Sequence, residues 1–231
     1  MTSGMTIEEY ERITPVATIR LGDVGLRFVT PNRKTVWRAQ TMLSKEPCTI
    51  EWLDGIEAGE LLLDVGANVG VYSVYAALMR QARVHAVEPE AQNFALLCRN
   101  VQLNDLQPLV TCWPLALSDE RRFDKLFVSD AQAGGSCHSF GEQVNFALQP
   151  QRFPLSQGCV SATIDEMVAT GAIAPPQHIK VDVDGFEHKV IEGGRATNSS
   201  SQVNPIQTKP HALHRSFYER NQIGVRLCAV L

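Results

Sequence analysis

The sequence predicts an α/β fold: a mostly parallel sheet with helices on both faces. Three observations predict it. Short apolar runs alternate with segments of helical periodicity through the middle of the chain, the order expected when each strand is followed by a helix crossing back over the sheet. The first run, Leu61-Leu62-Leu63-Asp64-Val65, is closed by Gly66, and Gly70 opens the helix after it. Two later runs finish on acids, Glu88 and Asp182, where open parallel sheets present groups to ligands. At 231 residues the chain has the size of one domain able to bury a core.

Each element has its own signal. After Gly70, Val71, Val74, Tyr75 and Leu78 fall at i, i+3, i+4 and i+7, one face of a helix. A second strand, Val84 to Glu88, ends at Pro89. Phe94, Leu97, Cys98 and Val101 then share a helical face that Asn104-Asp105 terminates. Further strands are expected at Leu109 to Trp113, Lys125 to Val128 and His178 to Val183, with a helix near Ile164 to Ala169. Between them, Ser129 to Gly158 reads as turn-rich. Its Gly134, Gly135, Pro150 and Pro154 mark an insert too long for a plain connection, where substrate contacts are expected. Residues 1–57 form a lead-in, 58–194 the core and 195–231 a tail of different character. In the lead-in, Trp37-Arg38 and Lys45-Glu46 belong either to a lid or to a solvated helix.

Composition excludes several classes. With 44% hydrophobic and 20% charged residues and a mean hydropathy of −0.09, the chain is neither disordered nor fibrous. A net charge of −4 and a pI near 5.9 supply no global positive field for nucleic acid or anionic membrane. Glu8, Glu9 and Glu11 stand where a secretory signal would carry basic residues, and no apolar run approaches the length of a bilayer span. The six cysteines form no CxxC pair, which fits thiols in a reducing compartment; a cytoplasmic location is expected. The charge is uneven. From Arg195 onward there are five basic residues and one acid, leaving −8 for residues 1–194.

Asp64-Val65-Gly66-Ala67-Asn68-Val69-Gly70 lies where a glycine turn exposes backbone N–H groups at a helix start. A dinucleotide turn needs a bare second glycine so that the backbone can approach a pyrophosphate. Asn68 fills that place, which favours a sulfonium nucleoside over NAD. Glu88 follows Gly66 by 22 residues, the offset at which a carboxylate accepts from both ribose hydroxyls. Asp64 is a candidate for the ammonium of a methionine moiety. Against this stands the commonness of strands ending in DxG; the joint pattern carries the reading.

LLLDVGANVGVYSVYAA, HAVEPEAQNFALLCRNVQLND, LALSD, AGGSCHSFGE and HIKVDVDGFEHKVIEGG resemble the successive motifs of FkbM-type S-adenosylmethionine-dependent methyltransferases, and TVWRAQTMLSKEPCTIEWLD is similar to the lead-in of some members. The resemblance covers roughly residues 30–194. It implies a Rossmann-like class I methyltransferase fold, S-adenosyl-L-methionine as donor, and commonly methylation of a hydroxyl on a sugar, polyketide or similar small molecule. Carried over, the cofactor contacts are Asp64, Gly66, Ala67, Asn68, Gly70, Glu88, Pro89, Ala116 and Asp182, with Ala116 to Asp119 an edge of the adenine pocket.

Methyl transfer needs in-line positioning, and an aliphatic hydroxyl must also lose a proton. Asp182 is the first candidate to orient or deprotonate the acceptor, with Asp184 and Glu187 close behind. Alternatively Asp182 only borders the donor and Glu187 caps the next helix. Asp182 and Asp184, at i and i+2 of a strand, would share one face and suit Mg²⁺, though two carboxylates do not make a site and the metal is not favoured. His138 is either a base facing substrate or a solvated loop histidine. His188 reads as packing or surface. Lys180 either pairs with a carboxylate of the site or snorkels to solvent.

Three functions compete: a methyltransferase acting on oxygen of a small hydroxylated acceptor, an inactive donor-binding remnant, and a nicotinamide-dependent reductase. The last lacks its second glycine and a proton relay. Asp182-Val183-Asp184-Gly185 is also unlike the proline-aromatic strand end of nucleobase amine methylation, so no nucleic-acid partner is expected. After Gly194 the motifs cease, Pro205 and Pro210 interrupt the sequence, and only Ile223 to Leu231 resembles a strand. The tail is either truncated or frame-shifted, or divergent and poorly ordered. Both leave the C-terminal strands incomplete and a sheet edge unpaired, favouring low stability, dimerisation or aggregation.

Overall fold

The computed structural model describes residues 4–13, 15–199, 216–220 and 226–230. A short helix α1 (Ile7–Arg12) precedes an antiparallel pair, β1 (Val16–Leu21) and β2 (Val24–Val29). Asn32 then caps α2 (Arg33–Thr41): its side chain accepts from Thr35 N at 2.9 Å while Asn32 N donates to the Thr35 hydroxyl at 3.3 Å. Together these satisfy two of the helix's orphan amide donors. Pro47 begins α3 (Pro47–Asp54), where a missing N–H costs nothing.

The central units follow as β3 (Leu61–Val65), α4 (Val71–Arg80), β4 (Arg83–Val87), α5 (Ala91–Leu103) and β5 (Val110–Trp113). Next come β6 (Ala116–Leu117), β7 (Phe123–Val128), β8 (Ser139–Phe140), β9 (Leu155–Ala162), α6 (Ile164–Ala169), β10 (His178–Val181), α7 (Glu187–Glu192), α8 (Arg195–Ser199), β11 (Ser216–Arg220) and β12 (Arg226–Val230).

The main sheet runs β11-β12-β10-β3-β4-β5, parallel throughout except for β11. Every residue of β3 is buried because apolar layers cover both faces. Strand alternation sorts its side chains. Leu62 packs with Leu26, Phe28, Trp52, Val74 and Leu97 on one face; Leu63 and Val65 pack with Ile164, Ile179, Val181 and Val190 on the other.

The predicted strand Leu61 to Val65 and the helices after Gly70, around Phe94 to Val101 and at Ile164 to Ala169 are observed. Two readings are corrected. The turn-rich stretch does not run to Gly158: β9 pairs antiparallel with β7 from Phe123↔Val160 to Val128↔Leu155, in a second sheet of order β6-β9-β7-β8. β9 is half exposed, so it has no apolar run to announce it. The strand from His178 ends at Val181 rather than Val183, because Asp184 turns into the left-handed region at φ 54°.

Of the tail, β12 lies parallel against β10, from His178↔Arg226 to Val181↔Ala229, and β11 pairs outside it. β10 is therefore not the unpaired edge expected for an incomplete sheet. Residues 200–215, 221–225 and 231, on which the truncated, frame-shifted or divergent readings also fall, lie outside the described residues. Among the described residues no helix is long and apolar enough to cross a membrane.

Candidate functional site

The site begins at the carboxyl end of β3. Gly66 has φ 75°, and a Cβ there would collide with the Asp182 carbonyl oxygen, so the ends of β3 and β10 touch backbone to backbone. Glycine meets both demands. Gly66 N and Ala67 N donate to Val87 O at 3.0 Å each, tying the turn to the end of β4. Asn68 is left-handed at φ 52°, a region asparagine tolerates. Its N donates to Glu88 Oε2 at 2.8 Å and its Nδ2 to Gly135 O at 2.6 Å, binding the turn to the insert. Gly70, the N-cap of α4 at φ 82°, leaves room for Leu97.

Glu88 is buried at the end of β4. Its two oxygens accept from Asn68 N and, at 2.9 Å, from Glu90 N. Burial nonetheless raises its carboxyl to about 7, with the neighbouring Glu90 adding to the rise and the amides opposing it.

Beneath the turn lies a buried charge network. Asp64, expected to meet an ammonium of the ligand, is enclosed by protein: Lys180 Nζ donates to Oδ1 at 2.9 Å and Ser73 Oγ to Oδ2 at 2.6 Å. Both its oxygens are thus occupied by protein partners, and the carboxylate is fully buried. Lys180, 1% exposed, is also 3.8 Å from Asp182 Oδ2 and lies over the Tyr72 ring at 5.2 Å. Burial works against its charge, yet Asp64 and Asp182 hold its pKa above the ordinary value. The Tyr72 hydroxyl donates to Glu46 Oε2 at 3.0 Å, and Lys45 Nζ donates to Glu46 Oε1 at 2.6 Å. The signal for Lys180 was register: β10 and β3 set Lys180 beside Asp64, 116 residues apart in sequence.

A cavity opens over the ends of β3, β4 and β10. Of the expected residues, Gly66, Asn68, Glu88, Pro89, Ala116, His138, Asp182 and Asp184 line it, together with Leu117 and Ser118. Ala67 lines a smaller adjoining cavity that shares Gly66, Asn68 and Asp182 with the first. Asp64, Gly70 and Glu187 line neither. Glu187 turns back onto its own turn, accepting from Gly185 N at 3.1 Å and Val183 N at 3.3 Å. Its carboxylate is thus taken up by the turn that leads into α7.

Asp182 faces the cavity with 28% of its side chain exposed. Burial raises its carboxyl to about 6; Lys180 opposes this, while Asp184 and Glu46 add to it. Asp184 does not share a strand face with it. At φ 54° its carboxylate accepts from Cys137 N at 2.5 Å, so the geometry invoked for a shared Mg²⁺ is absent. Among the described residues no three His, Cys, Asp or Glu side chains gather to hold a metal ion. His138 Nδ1 accepts from Ser129 N at 3.3 Å, and its Nε2 is buried with no partner among the described residues. Burial lowers its pKa.

The lead-in is part of the wall. Lys34 pairs with Asp130, Asn32 Nδ2 donates to Ala133 O at 2.9 Å, and Arg38 Nε donates to Gly134 O at 2.6 Å, fastening α2 to the insert. Gly134 N donates to Asn93 Oδ1 at 2.7 Å from the other side. Arg38 and Lys45 line both cavities, whereas Trp37 lines the smaller one and stays 47% exposed. Residue-type spacing could not reveal these contacts, because most end on backbone carbonyls of a distant loop.

A parallel α/β sheet whose first strand ends in this glycine turn, with a buried acid ending the second and a shared cavity above both, has the Rossmann-like architecture of class I methyltransferases. The sequence model of the methyltransferase FkbM domain matches residues 64–223, well over half of the chain, and the chain belongs to that family. The match begins later than the motif resemblance and continues past Gly194. The hexuronic acid methyltransferase AglP of Haloferax volcanii is 26% identical over 187 residues, covering 80% of this chain and 70% of that protein. Two solved structures are similar in part. The precorrin-6y C5,15-methyltransferase of Geobacter metallireducens GS-15 has TM-score 0.39 at 13% identity, over 69% of this chain and 60% of its own. The putative transferase PH0793 of Pyrococcus horikoshii has TM-score 0.31 at 17% identity, over 44% of this chain. The chain spans 36% of the latter's length.

Proposed function

We propose that this chain transfers the methyl group of S-adenosyl-L-methionine to a hydroxyl oxygen of a small, sugar-like acceptor. The observation that carries the reading is Glu88, a buried carboxylate beside the 66–68 turn on the wall of the large cavity. Two amides occupy one lone pair on each oxygen, leaving acceptor capacity for a ribose diol. Pro89, Ala116 and Leu117 supply an apolar wall suited to a flat base. Asn68 occupies the space a pyrophosphate would need, which disfavours a nicotinamide dinucleotide. The residues present thus fit the donor.

The donor, when bound, supplies an electrophilic methyl carbon on a sulfonium. The chain's own part is to orient both partners, exclude water and remove one proton. Asp182 is the base: with its carboxyl lifted to about 6 it is ionised at neutral pH yet basic enough to take the acceptor's hydroxyl proton. The likeness to a hexuronic acid methyltransferase supports a sugar acceptor.

Calorimetry with S-adenosylmethionine and with NAD tests the donor: binding of NAD alone overturns the reading. Donor turnover over a panel of uronic acids, neutral sugars and polyketide alcohols tests the acceptor, and transfer confined to nitrogen nucleophiles would refute O-methylation.

A further inference from the structure

We infer that Arg38 on α2 and Lys45 just beyond it hold the carboxylate at the amino-acid end of the donor, so that the lead-in reads the tail of the cofactor while its other contacts position the acceptor loop. The inference rests on the donor reading above.

The two cavities divide the donor's length. The larger carries Glu88 and the 115–118 wall; the smaller carries none of these and is floored by Gly66, Ala67 and Tyr72. A nucleoside with its ribose on Glu88 and its base on the 115–118 wall sends its remaining chain over the 66–68 turn, into the space beside α2. There Arg38, Lys45 and Lys180 stand against one carboxylate, Asp182, which also lines the larger cavity. Lys180 is consumed by Asp64, but the Arg38 guanidinium spends only Nε, on Gly134 O, and its two terminal amino groups have no partner among the described residues. Lys45 bonds one oxygen of Glu46 and keeps further donor directions. A half-buried guanidinium fork with free donors matches a carboxylate. Because the same guanidinium holds the loop carrying Ser136 and His138, filling the tail subsite fixes the wall against which the acceptor lies.

The test compares two nucleosides by calorimetry: S-adenosylhomocysteine, which has the amino-acid end, and 5′-methylthioadenosine, which lacks it. Arg38→Met should weaken the first roughly tenfold or more, the loss of a charge-assisted bond, and the second by less than about twofold on the same scale. Lys45→Met, which leaves the loop contact intact, should show the same selectivity with a smaller loss, and Arg38→Lys should recover part of it. Equal weakening of both nucleosides would make Arg38 a support for the loop only, and unchanged affinity for both would remove the subsite; either overturns the inference. Unchanged S-adenosylhomocysteine affinity with a raised KM for an acidic acceptor would reassign the cations to the acceptor and overturn it as well. If the unaltered protein binds neither nucleoside, the donor reading fails and the inference falls with it.

Discussion

Replacing Lys180 by Met isolates the charge network beneath the donor turn. Lys180 and Asp64 are each 1% exposed and 2.9 Å apart. The substitution keeps most of the side-chain volume but leaves Asp64 with Ser73 as its remaining partner and no counter-charge. Removing one member of a buried ion pair costs about 3–5 kcal/mol, because the other charge stays in a place water cannot reach. For a chain of this size each kcal/mol moves the melting temperature by about 2–4 °C, so a fall of ~6–20 °C is expected. Differential scanning calorimetry at pH 7 and urea titration measure it. Adding Asp64→Asn should restore much of the loss, since no charge is then stranded, and the double-mutant cycle should give a coupling above ~1 kcal/mol. A single variant within about 1 kcal/mol of the unaltered protein would refute the view that these charges depend on each other.

Three other outcomes follow from the site. Glu88, raised to about 7 by burial, binds more protons folded than unfolded between about 4.5 and 7; stability should fall across that window as pH rises, by on the order of 3 kcal/mol. Glu88→Gln should flatten that slope in urea titrations, and a slope unchanged by the variant would assign it to another group. If Asp182 is the base, kcat/KM should climb about tenfold per pH unit below about 6 and level above it, and Asp182→Asn should lower kcat by ~10²-fold or more; a flat profile between pH 5 and 7 excludes it. Gly66→Ala, forced into a left-handed backbone against the end of β10, should destabilise by ~3 kcal/mol or more by thermal melting, and a melting point within 2 °C of the unaltered protein would contradict the close approach.

The sheet was legible where one period dominated: the apolar run at Leu61, and the helical spacing from Val71 and from Phe94. It was not legible where a strand is half wet. β9 alternates exposed and partly buried residues around Gly158, and turn residues outweighed that pattern. The site divided in the same way. Gly66, Asn68, Glu88 and Asp182 were placed by their positions at strand ends, which topology makes common to one rim. Asp64 was given to the ligand because its true partner is non-local, visible only once β10 is laid beside β3. Arg38 carried no motif; its importance lies in which loop carbonyl it reaches.

Lys180 and Asp64 also act as a key for alignment. They stand opposite one another in the β10–β3 ladder, on the face that meets α4, while Ile179 and Val181 point into the other apolar layer. A slip of one residue between these strands would turn the ammonium into that layer and leave both charges alone. The error is thus penalised twice, by lost packing and by stranded charge. The depth of Asp182 against Gly66 is thus fixed by the same register that pairs Lys180 with Asp64.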